Sequence, residues 1–345
     1  MSTTLRPRTA AELGELLRGR PGRVRLCGTG SQQDRLPDAN GATTLSLAGL
    51  DRIVRLDAPD QTCSIEPGVP REVLDVALQE VGLELPCAGR GSLGGLFASD
   101  AVGPVSVGGA SPRSLLLGMQ AVLSDGTAFR SGARVVKSVA GFDVHKLLVG
   151  SQGRLFAATV LHLKLRPRPR AEAWFARAGL DRDGALSLFR QLRDLTVPPA
   201  ALHLHRFATD FTLAGRIVGR PSFVTAIVRQ HALPEAPAFD RLHLQATDGG
   251  EVLTGIVAPS RLPALLAAIA ADAPFLLHGG GRFEVALPSP TATDALLAFL
   301  PKLPVQACIA LGAPTRRGRG TPLDAGQERL AKGLKQALDP HGVFV

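Results

Sequence analysis

The spacing of apolar residues changes along the chain, and each spacing predicts an element. Thr9 and Glu12 stand at capping-box distance ahead of Leu13, Leu16 and Leu17, which predicts a helix over 10–18. Val24–Cys27 reads as a strand running into Gly28. Ile53–Leu56 and Thr62–Glu66 read as a hairpin around Ala58-Pro59-Asp60-Gln61. Pro70 opens a helix carrying Val73, Leu74, Ala77, Leu78 and Val81, stopped by Gly82. Met119–Leu123 and Thr127–Arg130 flank the hairpin turn Ser124-Asp125-Gly126. Thr159, Leu161, Leu163 and Leu165 alternate with Val160, His162, Lys164 and Arg166, the period of a half-buried strand. The Pro/Arg run Arg166–Arg170 then reads as a linker.

Beyond it the pattern weakens. Asp183–Leu195 and Arg261–Ala271 read as helices, and Phe223–Arg229, Val252–Ala258 and Phe283–Leu287 as strands. Ala325–Leu338 reads as a closing helix. This order suits a second lobe of α+β type built from two similar βαβ halves, although no sequence repeat marks them.

Composition narrows the function classes. At 345 residues the chain can hold two domains or more, and 45% hydrophobic content is enough for packed cores. No apolar run approaches the roughly 18 residues of a membrane span. Met1–Arg8 lacks an apolar stretch, so export by a standard signal is not expected. Cys27, Cys63, Cys87 and Cys308 form no C-x-x-C pair, so neither zinc nor an iron–sulfur cluster is expected; reduced thiols acting as small hydrophobes fit better. The net charge of +9 raises nucleic-acid binding as a class. The clusters Arg316-Arg317-Gly318-Arg319 and Arg166-Pro167-Arg168-Pro169-Arg170 have no interleaved aromatics, and the chain has no Tyr, which argues against it. The charge leaves a solvated surface, or one that attracts an acidic partner or small carboxylates.

Three loops carry candidate chemistry. Gly28-Thr29-Gly30-Ser31-Gln32 follows a strand, so its free amides can cradle a pyrophosphate; a plain turn is the other reading. It is neither a Rossmann fingerprint, since Gln33 stands where the third glycine belongs, nor a P-loop, since no Lys-Ser/Thr follows. Gly94-Gly95 within Ser92–Ser99 marks either a ligand wall or tight backbone packing. In Val135–Gly153, Gly141 frees the backbone, Asp143 caps a short helix, Gly150 ends it and Gly153 allows φ > 0. An ordinary loop–helix–turn explains that stretch equally well.

A resemblance joins these loops. Lys137-Ser138-Val139-Ala140-Gly141-Phe142-Asp143, with Leu147-Leu148-Val149-Gly150-Ser151-Gln152-Gly153, resembles the K-N-V-A-G-Y-D…L-x-x-G-x-x-G segment of the FAD-binding E subunits of glycolate oxidases. These belong to the PCMH-type, vanillyl-alcohol-oxidase-like FAD family. The likeness runs over roughly residues 5–170. Ser138 and Phe142 replace Asn and Tyr, and Arg154 and Phe156 replace the Thr and Gly of the family's G-T-L-G. Gly28–Gln32 is similar to the family's G-G-G-T-K, Ser92–Ser99 to T-I-G-G-L-V-A-T, and Pro112–Gly118 to V-R-D-F-V-L-G. Asp339-Pro340-His341-Gly342-Val343-Phe344 resembles the C-terminal D-P-x-G-I-F. The resemblance implies a fold of class α+β: a two-subdomain PCMH-type FAD-binding domain over 1–168, an α+β cap over 169–320, and a helix and tail over 321–345 returning toward the first domain. It further implies non-covalent FAD, with no attachment His near the loops. The contacts it assigns are Gly28, Thr29, Gly30, Ser31, Gln32, Ser92, Gly94, Gly95, Ser99, Arg113, Lys137, Ser138, Gly141, Phe142, Asp143, Gly150 and Ser151.

Catalytic residues are scarcer. His278-Gly279-Gly280-Gly281-Arg282-Phe283-Glu284 is faintly similar to the H-A-G-D-G-N-L-H of the related catalytic D subunit, without its second His or its acid, so no metal site is expected. His278 and Arg282 are the convergent candidates for base and cation; a glycine-rich hairpin with an incidental His is the alternative. His203 and His205 share one strand face, as a ligand pair or as a hydrogen-bonded surface. The family implies dehydrogenation of a 2-hydroxy acid, glycolate or lactate, to the 2-oxo acid. Its implied partners are a paralogous FAD-containing catalytic subunit and an iron–sulfur subunit, in the cytoplasm or at the inner face of the membrane through those partners. A stand-alone flavin oxidoreductase, and a non-catalytic FAD-binding relay subunit, remain open beside it.

Overall fold

The computed structural model describes residues 4–19, 22–31, 33–37, 39, 41–87, 89–100, 110–134, 142–238 and 243–345. Its first lobe is built on two main sheets, with a short two-stranded one beside them. Strand β1 (Thr4–Leu5) is followed by helix α1 (Ala10–Arg18), β2 (Val24–Cys27) and β3 (Thr43–Ser46), and the three strands pair in parallel in the order β1-β3-β2. Thr9 caps α1 by accepting from the Glu12 amide at 3.1 Å. The reciprocal bond of the box moves back one residue, because Glu12 accepts from the Arg8 amide. Leu13 and Leu17 then bury against Val24, Leu45, Leu47 and Leu50.

The second sheet takes β4 (Ile53–Asp57), β5 (Thr62–Ile65), β7 (Leu116–Val122), β8 (Ala128–Gly132) and β9 (Ala157–Lys164) in the order β4-β5-β9-β7-β8. Between them run α2 (Arg71–Glu80), β6 (Leu83–Glu84), α3 (Leu93–Ser99) and α4 (Pro112–Leu115). The short strand β10 (Arg166–Pro167) pairs with β6, so the run read as a linker is tied down where it leaves this lobe. Asp143 precedes a 3-10 turn over Val144–Leu148 without capping it, and Gly150 and Gly153 behind that turn both take positive φ (81° and 73°).

A seven-stranded antiparallel sheet follows, in the order β11-β13-β12-β15-β16-β14-β17. Its chain order is β11 (Ala171–Leu180), α5 (Arg182–Arg193), β12 (Ala201–Arg206), β13 (Phe211–Gly219), α6 (Pro221–Gln230), β14 (Glu251–Ile256), α7 (Leu262–Ala268), β15 (Phe275–His278), β16 (Arg282–Leu287), α8 (Pro290–Phe299) and β17 (Gln306–Leu311). Each half is therefore β-α-β-β-α, not βαβ. In each, the third strand lies between the first two, and the halves meet where β12 pairs with β15. One expected strand is wrong: 223–229 lies in α6. Pro221 presets its first turn and Val224 and Ile227 bury one helix face, so tertiary burial overrides the β-branched composition. All helices of this lobe pack on one face of its sheet, burying Phe275, Leu277, Phe283 and Val285 with Leu265, Leu296 and Phe189.

Helix α9 (Ala325–Leu338) opens with a full capping box at Asp324 and Gln327. The tail behind it returns to the first lobe: Phe344 bridges Val24 in parallel, and Val24 donates to the Val343 carbonyl at 2.7 Å. Asp339 holds this return. Its buried carboxylate accepts from the amides of Val343 and Phe344, both at 2.9 Å, and from Lys335. Burial pushes its carboxyl up, but Lys335 and the two amides outweigh that and hold it below the usual aspartate range. Asp339→Ala is expected to cost on the order of 3 kcal/mol by leaving two buried amides unsatisfied, read as a lower thermal midpoint. An unchanged midpoint would show that the tail is held by Val343 and Phe344 packing alone. Among the described residues no helix is long and apolar enough to cross a membrane.

Candidate functional site

A cleft opens in the first lobe where four segments converge. The end of β2 and the loop after it contribute Leu26 through Ser31. Helix α3 contributes Ser92, Gly94, Gly95, Ala98 and Ser99. Gln152 and Gly153 come from the loop before β9, and Phe156 and Ala158 from its approach and first residues. Leu36, Leu47, Pro67 and Leu148 complete an apolar wall.

The segments meet because glycine lets backbone approach backbone. A Cβ on Gly28 would sit 1.8 Å from the Ser92 hydroxyl oxygen. One on Gly94 would sit 2.5 Å from the Pro67 Cβ and 2.9 Å from the Pro67 carbonyl oxygen, to which the Gly94 amide already donates at 2.7 Å. The Ser92 amide donates to the Thr29 hydroxyl at 3.1 Å, fastening the Gly28 loop to α3. On the other side of α3, the Gln152 amide donates to the Ala98 carbonyl at 2.8 Å and the Gly150 amide to the Phe97 carbonyl at 3.3 Å. The result is a slot with bare backbone and hydroxyls along one side and hydrocarbon along the other. Among the described residues no Lys or Arg lines it, so an anionic group inside is met by loop amides and hydroxyls. That donor set suits a pyrophosphate joined to a flat apolar ring system.

Eight residues expected at the cofactor line this cleft: Gly28, Thr29, Gly30, Ser31, Ser92, Gly94, Gly95 and Ser99. Gly150 and Ser151 sit beside it, in the loop held against α3. Arg113 lies elsewhere, donating to the Lys146 carbonyl at 3.1 Å, while Phe142 is 93% exposed. Asp143 is likewise exposed and off the lining, with its carboxylate 3.9 Å from the His145 ring. Gln32, Lys137, Ser138 and Gly141 lie outside the described residues. Sequence reasoning missed Leu26, Cys27, Gln33, Leu36, Pro67, Gln152, Gly153 and Phe156 as lining residues. Only the strand alternation at Leu26 and the second glycine at Gly153 signalled any of them. Burial pushes the Cys27 thiol up, against Gln33, the Gly30 backbone and Arg25, so it faces the cleft uncharged.

The face of the second sheet away from its helices is turned to this lobe. Glu284 on β16 pairs with Arg35 at 2.9 Å, Arg282 on the same strand pairs with Asp100 at the end of α3, and Arg216 on β13 pairs with Glu84 at 3.3 Å. Glu284 faces Leu276, Leu276 faces His205, and His203 faces His278 in the strand register. All of these side chains therefore share the face that meets the first lobe. His203 and His205 stack with ring centroids 5.4 Å apart. Burial, with His205 and His278 nearby, brings the His203 imidazole well below the usual histidine range, and burial lowers His205 as well. Both are therefore neutral at neutral pH. His278 is buried, and Gly279–Gly281 form the turn after it, with the Gly281 amide donating to the His278 carbonyl at 2.8 Å. No group of metal ligands assembles among the described residues.

Residues 2–132 match the family described as FAD binding domain. Among curated proteins, the chain is 32% identical over 171 residues to an uncharacterized FAD-linked oxidoreductase of Mycobacterium tuberculosis, covering 47% of this chain and 37% of that protein. It is 34% identical over 124 residues to glycolate oxidase subunit GlcE of Escherichia coli, covering 34% of this chain and 35% of the relative. It is 30% identical over 131 residues to the mitochondrial D-lactate dehydrogenase [cytochrome] of Arabidopsis thaliana, covering 37% and 23%. The chain thus spans between about a quarter and little more than a third of the length of the curated relatives it matches. Over the whole chain the fold is similar to that of alkyldihydroxyacetonephosphate synthase, with TM-score 0.71, 15% identity and coverage of 99% of this chain and 76% of that one. The matched residues 2–132 supply most of the cleft's lining, and Leu148, Gln152, Gly153, Phe156 and Ala158 come from beyond them.

Proposed function

We propose that this protein is an FAD-dependent oxidoreductase that dehydrogenates a small 2-hydroxy acid, with glycolate and lactate as the first substrates to test. The observation that carries the reading is the placement of a polar, imidazole- and guanidinium-bearing sheet face against the lobe that holds the FAD cleft. Sequence likeness to a glycolate oxidase subunit and to a D-lactate dehydrogenase supports the substrate class. Bound FAD supplies the hydride acceptor. The chain's own residues then have three tasks. The loop Gly28–Ser31 and α3 hold and orient the cofactor. The neutral imidazoles of the cap face offer acceptors for the hydroxyl proton. Guanidiniums at the junction of the lobes hold the carboxylate. Electron transfer onward is assigned to partner subunits, an FAD-containing paralogue and an iron–sulfur protein, because the four free cysteines are dispersed.

The test is a visible spectrum of the purified protein, before and after anaerobic glycolate or D-lactate. Acid should release a yellow cofactor, and the acid substrate should bleach it, alone or with the co-expressed partners. A holo-protein that no 2-hydroxy acid bleaches in either setting would end this reading.

A further inference from the structure

The cap brings one guanidinium to the cleft end of the interface, and that guanidinium is already neutralised. Arg282 pairs with Asp100, and both side chains are about a quarter exposed (27% and 28%). Asp100 is fixed in turn: it ends α3 in left-handed backbone (φ 48°) with its amide on the Phe97 carbonyl at 3.2 Å. Burial pushes the Asp100 carboxyl up and Arg282 draws it down. An arginine so engaged is a poor sole anchor for a second carboxylate.

Arg154 stands differently. It follows Gly153, whose backbone lines the cleft, and its amide closes a turn on the Ser151 carbonyl at 3.0 Å. Lys335 of α9 donates to its carbonyl at 2.7 Å, so the backbone beneath the side chain is held from behind. The side chain is exposed, and its guanidinium makes no hydrogen bond or ion pair with a described residue. Its charged neighbours are not acids. They are Arg25 of β2 and, uncharged because burial raises it, the Cys308 thiol of β17, which Arg282 also influences. Cys308 and Arg282 belong to the sheet face turned toward the first lobe, because Cys308 pairs with Thr254 and Thr254 with Glu284. Arg154 is thus an uncompensated fork at the junction of cleft and cap, at a position where the similar family carries Thr.

We propose that Arg154 is the residue that takes the substrate's carboxylate, with the Arg282–Asp100 pair beside it as a positioning element. A planar guanidinium matches a carboxylate with two parallel hydrogen bonds, and the surrounding positive charge favours an anion over a neutral alcohol. The inference rests on the 2-hydroxy-acid reading for its choice of ligand. The same fork would also suit a phosphate oxygen of the cofactor, and the experiment separates the two.

FAD-loaded protein is titrated with oxalate, a dianion that cannot be oxidised to a 2-oxo acid, by isothermal calorimetry, with FAD content read from the visible spectrum. Arg154→Gln is expected to weaken oxalate at least about tenfold with FAD content unchanged. Arg154→Lys is expected to fall between, keeping charge but losing the fork. Oxalate affinity unchanged in Arg154→Gln overturns the proposal, as does a wild-type protein that does not bind oxalate. Loss of FAD in Arg154→Gln with normal oxalate binding in the fraction still loaded also overturns it, and assigns the side chain to the cofactor. Arg154-dependent oxalate binding in a protein that no hydroxy acid bleaches would instead keep the carboxylate site and remove the oxidation reading.

Discussion

Gly94→Val is expected to yield a protein that retains no FAD and unfolds well below the wild type. The added Cβ would meet Pro67 through backbone atoms as well as its ring, at 2.5 to 3.1 Å, and neither segment is free to withdraw. The Gly94 amide is bonded to the Pro67 carbonyl, and the neighbouring Leu93 amide to the Val69 carbonyl at 2.9 Å. Opening that contact is expected to cost at least about 3 kcal/mol and to widen the slot that the cofactor fills. Gly30→Ala is the informative companion. Gly30 has φ 83° and no atom within 4 Å of an added Cβ, so the fold itself loses only about 1 kcal/mol. If Gly30→Ala still folds but binds FAD much more weakly, the open space beside that residue is where the cofactor runs. Normal FAD content in Gly94→Val would place the cofactor elsewhere.

Glu284→Ala is expected to have the largest effect on how the lobes hold together. The carboxylate is buried and accepts from Arg35 at 2.9 Å, from the His243 ring at 2.6 Å and from the Leu244 amide at 2.9 Å. Arg35 lies in the 3-10 turn directly after the Gly28 loop, beside Gln33, which lines the cleft. Removing the carboxylate takes the counter-charge from the Arg35 guanidinium, which keeps its bond to the Leu244 carbonyl, and leaves the Leu244 amide without its acceptor, at about 3–5 kcal/mol for a broken buried pair. The double variant Arg35→Met, Glu284→Leu is expected to be less destabilised than Glu284→Ala, because no lone buried charge remains. Burial pushes the Glu284 carboxyl up, but His243, Arg35 and the Leu244 amide outweigh it and bring it from 4.5 to about 2. A folded value below the unfolded one means the stabilisation is present above pH 4.5 and is lost as pH falls through 2. The loss is on the order of 3 kcal/mol. Thermal denaturation between those pH values should therefore be steeper in pH for wild type than for Glu284→Ala. Parallel curves would show that the ion pair contributes little.

Much of the first lobe was legible because its determinants are local. The Thr9 cap, Pro70 and Gly82 around α2, and the Ser124-Asp125-Gly126 turn act within a few residues of the element they bound, and each element formed where it was read. The Gly28 loop and Gly94 were legible as candidate cofactor walls for the same reason, since glycine next to a strand end or helix start is a local signal. The strand expected over 223–229 failed because Val224, Ile227 and Val228 carry strand propensity locally, whereas Pro221 and burial against the sheet decide for helix. The run Arg166–Arg170 misled in the other direction. Its prolines suggested a free linker, yet β10 docks on β6 through contacts 82 residues apart in sequence, as between Arg166 and Glu84.

The sequence by itself determined the first-lobe elements bounded by local caps and turns, the likeness to an FAD-binding domain and the Gly28 and Gly94 segments as candidate cleft walls. Only the tertiary structure decided which cap residues meet that cleft. The face of each cap strand follows from burial of the other face against α5 to α8, and the register that sets His203 opposite His278 is fixed between strands 75 residues apart. The tertiary structure also decided the states of two cations near the lobe junction. Arg282, the cation the sequence pointed to, is engaged by Asp100 across 182 residues. Arg154, which the sequence marked only as a departure from a pattern, is the one left with a free fork toward the described residues. Charge pairing over such separations has no local signature, because a side chain's partner depends on which distant segment folding brings within a few ångströms of it.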